Sequence, residues 1–352
     1  EIAQCLVGSE MCIRDRQRAE INPMQYGTIV HYILERFFGE YTKEEYLSLE
    51  EDKFQKIVCA YLAEYAVKYF GEEQLESNSF TYRLKTILDN VMYLMKHIME
   101  ELSQSEFFVA DCELKIGEDI PSYTIVLPDG HKIAVCGSVD RVDIMQRADI
   151  TYLRIIDYKT GTKQFKLSDI LYGINLQMLL YLHSIEASGG DKYGEIVPAG
   201  ILYMPATVPY ISSDSLKSID KLPDELNKKL KMNGLLLKDT EIIHGMDKTD
   251  AATYIPVKIK AGEPVSSTSL ATLAEFGKIF KKVDMLIAEM GKNIYNGNIE
   301  AKPLKGGHDS CEYCPYDSVC AYRQSNPITC FSVDNKTVIE EITNEINGKE
   351  EE

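Results

Sequence analysis

The stretch from Val135 to Lys159 constrains the chain most. It reads V-C-G-S-V-D-R-V-D-I-M and then, after a short polar break, L-R-I-I-D-Y-K. Two β-branched apolar runs around a polar break are the pattern of adjacent strands joined by a turn. Each run also carries charge where a buried strand should have none. Asp157 and Lys159 are two apart and project from one strand face. Asp140 shares its face with Ser138 and Val142, and Asp143 falls on the opposite face. Carboxylates at the ends of apolar strands are costly to bury unless they hold a cation. The pattern therefore predicts a divalent cation held by Asp140 and Asp157, with Lys159 beside it. Taken alone, D-Y-K also fits a surface hairpin with an Asp157–Lys159 salt bridge. The context favours the site. Gly161 supplies a turn, and the following run G-I-N-L-Q-M-L-L-Y-L puts Gln177 and Tyr181 one turn apart on an otherwise apolar helix. Those two polar groups need partners, which the strand-end site can supply.

The ordered series G-S-V-D, I-I-D-Y-K-T-G and Q-M-L-L-Y resembles the motifs of the PD-(D/E)xK nuclease superfamily, in its RecB-like branch. The resemblance implies an α/β fold, a mixed central sheet flanked by helices with a helical segment ahead of it. It implies Mg²⁺-dependent hydrolysis of DNA phosphodiester bonds. Asp140, Asp157 and the Tyr158 carbonyl would hold the metal, Lys159 would orient water, and Gln177 and Tyr181 would position the phosphate. The segment G-T-I-V-H-Y-I-L-E resembles the helix before the core in this branch, which makes His31 a further metal ligand. Glu113, on the strand F-F-V-A-D-C-E-L-K-I, is a candidate ligand by the same resemblance. A solvated strand residue is the alternative for it.

Composition narrows the class. The 352 residues, 45% hydrophobic and 26% charged, describe an ordinary globular chain with no run long enough to span a membrane and no secretory signal. A cytoplasmic protein is expected. A net charge of −17 excludes a protein that coats nucleic acid through its overall field, but leaves room for a local basic groove. Nine cysteines in a chain of this length do not read as a secreted disulfide scaffold.

The chain divides as follows. Cys5 to Asp15 resembles the in-frame translation of a transposon adapter used in sequencing libraries, so residues 1–15 are set aside. Residues 16–105 form a helical segment with a stripe of Ile29, Ile33, Leu34, Phe37 and Phe38, then helices over Lys43–Phe70 and Asn78–Leu102. The tyrosines on these helices suit packing better than base stacking. Residues 106–206 carry the nuclease core, with Cys112 and Cys136 as small buried hydrophobes and G-G-D-K-Y-G as a loop. Residues 207–330 are a less regular extension containing Lys217, Lys221, Lys228, Lys229, Lys231 and Lys238, followed by a helix over Ser267–Asn296. These lysines fit a solvated face, and also a phosphate-contacting surface. Residues 331–352 are an acidic tail expected to fray.

Cys311, Cys314 and Cys320, a C-x-x-C with a third thiol, are a metal signal. Zinc and an iron–sulfur cluster would each take four ligands. The segment resembles the C-terminal motif of the B subunit of AddAB-type helicase–nucleases, which implies a [4Fe-4S] cluster. Its fourth cysteine lies upstream in a C-P-F context. Here only Cys5 and Cys12 are near, and Cys5 lacks the Pro-Phe. K-M-N-G-L-L-L-K resembles a segment of the same subunit. The family reading implies DNA ends as substrate, recombinational repair as the setting, and a helicase–nuclease A subunit as heterodimer partner. No Walker-type motif occurs, so no ATP hydrolysis is expected of this stretch. A CRISPR-associated iron–sulfur exonuclease and a non-catalytic DNA- or partner-binding module are the competing readings.

Overall fold

Asn22 opens the first helix through a reciprocal cap: its side chain accepts from the Gln25 N–H at 2.8 Å, while the Gln25 side chain accepts from the Asn22 N–H at 3.0 Å. The computed structural model describes residues 21–161, 164–209, 222–266, 268–298, 300–320, 322 and 327–350. The adapter-like stretch, Cys5, Cys12, Lys217 and Lys221 lie outside them.

The chain forms two units. The first comprises residues up to Glu100 with Lys159–Gly161 and Ala206–Tyr210. Helix α1 (Pro23–Glu40) buries Ile29, Val30, Ile33, Leu34 and Phe37. Helix α2 (Glu51–Phe70) buries Phe54, Val58, Tyr61, Leu62, Tyr65 and Ala66, and packs on α1 through ring contacts such as Phe37–Phe54 and Tyr32–Tyr65. Tyr61 and Tyr65 are thus core residues. The helix expected over Lys43–Phe70 is two, since a short helix over Lys43–Leu47 has its own capping box, Thr42 with Glu45, and ends at Ser48. Helix α3 (Asn78–Ser103) is continuous, as its 3.6-residue pattern predicts.

The second unit holds a six-stranded sheet, in the order β1 (Phe108–Ile116), β4 (Gly137–Arg147), β5 (Ile150–Lys159), β6 (Glu195–Pro205), β7 (Asn233–Leu237) and β10 (Leu270–Ala271), while β8 (Lys258–Lys260) and β9 (Glu263–Val265) pair apart from it. Strand β4 runs antiparallel to both β1 and β5. The hairpin β2 (Tyr123–Val126) and β3 (Lys132–Val135) forms its own small sheet, turning at the Pro128–Gly130 signal. Helix α4 (Gln177–Ser188) links β5 to β6 (Glu195–Pro205). Val139, Val142, Leu153, Ile155, Ile201 and Leu202 are buried at the sheet, the mark of strands covered on both faces.

Several expectations are corrected here. K-M-N-G-L-L-L-K, placed in an irregular region, supplies β7 (Asn233–Leu237), antiparallel to β6 and parallel to β10 (Leu270–Ala271). Strands β6 and β7 approach so closely that a Cβ on Gly234 would stand 2.0 Å from the Ile201 carbonyl oxygen. G-G-D-K-Y-G contains a helical turn, Gly190–Tyr193. The helix expected from Ser267 starts at Leu273, because β10 takes the preceding residues and Thr272 caps it with Glu275. This helix, α5 (Leu273–Tyr295), packs against a last helix, α6 (Asn335–Glu350), in the tail expected to fray. Val338, Ile342 and Ile346 are buried, four residues apart, and Lys282 pairs with Glu345. Cys136 is exposed and Cys112 half-buried, because Cys136 falls between β3 and β4, outside the paired strands.

Candidate active site

The antiparallel register brings the acidic residues together. Arg141 pairs with Ile156 across β4 and β5, so Asp140 and Asp157 sit at neighbouring ends of the two strands. The Tyr158 N–H donates to Asp140 Oδ2 at 2.8 Å, tying the Asp140 side chain to the β5 backbone. Asp157 is 7% exposed among apolar strand residues. Lys159 closes β5, two residues on along the same strand face. Its carbonyl accepts from the Ala206 N–H at 2.8 Å.

On the other side of β4, Cys112 pairs with Arg141 and Leu114 with Val139, which sets Glu113 opposite Asp140. A carboxylate oxygen of Glu113 lies within 4.8 Å of one of Asp140. Glu113 holds φ at +51°, a left-handed conformation that side chains other than glycine seldom adopt. The register of β1 also shifts between Val109 and Asp111. A β-bulge re-aims the side chains that follow it. Asp111 is pinned there by Lys192 at 2.5 Å and by the Tyr193 hydroxyl at 2.6 Å. The Ser138 hydroxyl donates to Glu113 at 2.9 Å. Strained backbone is kept where surrounding contacts over-determine it, and here those contacts aim a carboxylate at Asp140.

Gln177 and Tyr181 come together on α4, with the Gln177 amide donating to the Tyr181 hydroxyl at 3.3 Å. The Tyr181 ring lies against Gly137 at the start of β4. His31 sits half-buried in the middle of α1, in the first unit. Two or three carboxylates in this arrangement offer the hard oxygen donors that Mg²⁺ takes, so the donor set in the second unit fits such a cation.

Reasoning from the sequence missed what lies behind these strands. Arg141, Asp143, Arg154 and Glu101, at the end of α3, are all fully buried. Arg141 donates to both Asp143 oxygens at 2.8 Å, to Glu101 at 3.2 Å and to the Tyr158 hydroxyl at 3.3 Å. Arg154 donates to Glu101 at 2.6 Å and to Asp143 at 3.0 Å. Burial pushes the Asp143 carboxyl up, but the two guanidinium groups outweigh it and hold it below the usual value. A signal existed in the chain: three charges interrupt the apolar runs, with Arg141 and Asp143 on the face opposite Asp140.

Cys311 and Cys314 occupy one turn, with the Cys314 N–H donating to the Cys311 carbonyl at 3.3 Å, and Cys320 follows on a short helix. All three are free thiols. Cys330 is buried in the β11–β12 ladder (Leu304–Gly306 with Ile328–Cys330), and burial pushes its thiol up, away from the thiolate a metal takes.

The model of the PD-(D/E)XK nuclease superfamily matches residues 6–321. The chain belongs to that superfamily. The chain is 33% identical over 321 residues to the B subunit of the ATP-dependent helicase/deoxyribonuclease of Thermoanaerobacter sp. (strain X514), covering 88% of this chain and 28% of that protein. It is 31% identical to the corresponding B subunit of Alkaliphilus oremlandii, covering 94% of this chain and 30% of the relative. It is 32% identical to that of Clostridium kluyveri, covering 100% and 32%. The chain thus spans less than a third of the length of these relatives. The mixed sheet and its preceding helices agree with the expected fold. No described helix is long and apolar enough to cross a membrane.

Proposed function

We propose that this chain is the nuclease part of a helicase–deoxyribonuclease B subunit and hydrolyses DNA phosphodiester bonds with Mg²⁺. The observation that carries the reading is the strained Glu113 held opposite Asp140, with the Asp140 side chain bonded to the backbone next to Asp157. In this reading Asp140, Asp157 and the Tyr158 carbonyl hold the cation, Glu113 assists, and His31 joins them on the strength of its motif. The cation, when bound, supplies charge neutralisation on the phosphate and a lowered pKa for the attacking water.

The chain's own groups do the rest. The Lys159 ammonium orients the water and stabilises negative charge that develops on the phosphate oxygens. The Gln177 amide and Tyr181 hydroxyl donate to a non-bridging phosphate oxygen and hold the scissile bond in line. Water gives up a proton to solvent as its oxygen bonds to phosphorus, the bond to the leaving sugar oxygen breaks, and that oxygen takes up a proton from solvent. Cys311, Cys314 and Cys320 suit a soft thiolate-ligated group, and we assign a [4Fe-4S] cluster to them, with its fourth ligand upstream. DNA ends would be the substrate and a helicase–nuclease A subunit the partner in the cytoplasm. This accords with the relatives' names, which describe the B subunit of an ATP-dependent helicase/deoxyribonuclease.

The test is cleavage of linear DNA by the chain with and without Mg²⁺. Asp157→Ala and Lys159→Ala should each abolish cleavage while the thermal melt stays cooperative. Undiminished cleavage in both variants overturns the assignment.

A further inference from the structure

His183 lies two residues after Tyr181 on α4, about 200° further round the helix, so the two side chains leave on opposite sides. The Tyr181 side meets Gly137. The His183 side meets two other elements. Nε2 is 3.2 Å from Asp284 Oδ2 on α5 and 3.2 Å from the Tyr123 hydroxyl on β2. Nδ1 is 3.3 Å from Glu186 on the same helix. The Tyr123 hydroxyl donates to Asp284 Oδ2 at 3.0 Å. The imidazole also stacks on Phe280 of α5 at 4.7 Å, with the rings 15° apart.

The chemistry of these partners selects one charge state. Each ring nitrogen faces a carboxylate, which only accepts, so the arrangement favours a proton on both nitrogens. Asp284 strengthens the requirement. Its second oxygen, Oδ1, is buried and has no hydrogen-bond partner among the described residues, and a carboxylate in that position is costly without a countercharge. Among the described residues, the imidazole faces Tyr123 from β2, Asp284 from α5 and Glu186 from α4 itself. Burial works against the imidazolium, but the hydrogen bonds to Asp284 and Glu186 outweigh it and raise the pKa to about 9. At neutral pH the ring is therefore charged, and it ties α4 to the hairpin and to α5.

We propose that His183 is a positioning residue: its imidazolium fixes the rotation and height of α4, and so sets where Tyr181 presents its hydroxyl. This deepens the nuclease reading and rests on it. The helix is braced on two sides, by the backbone of Gly137 under Tyr181 and by the Asp284–His183–Tyr123 contact opposite. Loss of the charge leaves the half-buried Asp284 without its countercharge. Asp284 then separates from α4, and the helix is free to turn about its contact with Gly137.

The experiment uses the whole chain, with 3-fluorotyrosine placed at position 181 for fluorine resonance. His183→Gln keeps a hydrogen-bonding side chain and removes the charge, and Asp284→Asn removes the partner's charge. Both are expected to shift the position-181 resonance at neutral pH, where the fluorinated phenol is itself still protonated. In DNA cleavage, His183→Gln should raise KM about tenfold, the scale of removing one charge-assisted hydrogen bond. That effect should vanish in a Tyr181→Phe background, where no hydroxyl remains to be placed. A merely structural role would lower activity equally in both backgrounds. An unmoved fluorine resonance, or additive losses in the double variant, overturns the proposal. If the wild-type chain cleaves no DNA with any divalent cation, the nuclease reading fails and the resonance alone decides the role of His183.

Discussion

Gly137 and Tyr181 share a space that admits no further side chain: a Cβ on Gly137 would stand 2.2 Å from the Tyr181 hydroxyl oxygen and 2.6 Å from Cζ. The absence of a side chain at one residue of the G-S-V-D motif is what lets another motif's tyrosine reach the strand that bears Asp140. Gly137→Ala should therefore push Tyr181 away while leaving the carboxylates in place. A displacement near 1 Å costs on the order of 100-fold in rate. We expect kcat/KM for DNA to fall by about that factor with cation affinity, measured by calorimetry, unchanged. Full activity in Gly137→Ala would refute the role assigned to Tyr181.

Glu113 and Asp140 predict a cation-dependent gain in stability. Mg²⁺ or Mn²⁺ at about 100 times its dissociation constant should stabilise the wild-type chain by about 2.7 kcal/mol. The gain should be lost in Asp140→Asn. Glu113→Gly should behave differently, because it removes both a ligand and the strain of a positive φ. Its metal-free stability should rise by about 1 kcal/mol, and its response to the cation should shrink. Parallel thermal melts with and without cation measure both effects.

The four buried charges behind β4 and β5 should respond sharply to the removal of any one. Arg141→Met leaves Asp143 and Glu101 facing only Arg154, and should cost about 3–5 kcal/mol in urea denaturation. Replacing all four by apolar residues of similar volume should cost far less. If single and fourfold variants lose the same stability, the network is not behaving as a set of mutually compensated charges.

Asp143 also sets an acid limit. Its carboxyl is held below the ordinary 3.8 in the folded chain, so between those two values the unfolded chain binds more protons. The stabilisation is complete above the ordinary value and is lost as pH falls through the lowered one. Melting temperature should drop steeply below about pH 4. In Asp143→Asn the melt starts lower and varies less over that range. An identical slope in the variant would assign the acid limit to other carboxylates.

The last helix contributes to the fold although its sequence is acidic. Ile342 is fully buried and Lys282 beneath it is paired to Glu345. Ile342→Ala should destabilise the chain by about 2–4 kcal/mol. A loss under about 0.5 kcal/mol, well short of a core truncation, would show that this segment does not stay docked on α5.

Local pattern was enough for elements whose information is contiguous. The β4–β5 pair is legible because alternation and a turn lie within 25 residues from Val135 to Lys159. Helices α1 and α3 are legible because their apolar stripes repeat without interruption. The tail was misjudged because Val338, Ile342 and Ile346 are three apolar positions among many acidic ones. Their burial depends on α5, some 50 residues earlier. Strand β7 escaped because only its pairing with β6 and β10 distinguishes Leu235–Leu237 from any short apolar run.

The same division holds at the site. The sequence by itself determined which groups are present: Asp140, Asp157 and Lys159 at strand ends, Gln177 and Tyr181 one turn apart, and the superfamily that this order implies. These facts follow from spacing along the chain and from strand and helix period. Only the tertiary structure decided that Glu113 faces Asp140 through a bulged, strained strand. It also decided that Arg141, Asp143, Arg154 and Glu101 neutralise one another out of water, and that His183 lies between two carboxylates. The physical reason is common to all three. The charge, strain and reach of a side chain depend on which distant groups the fold brings within a few ångströms, and no local period encodes that.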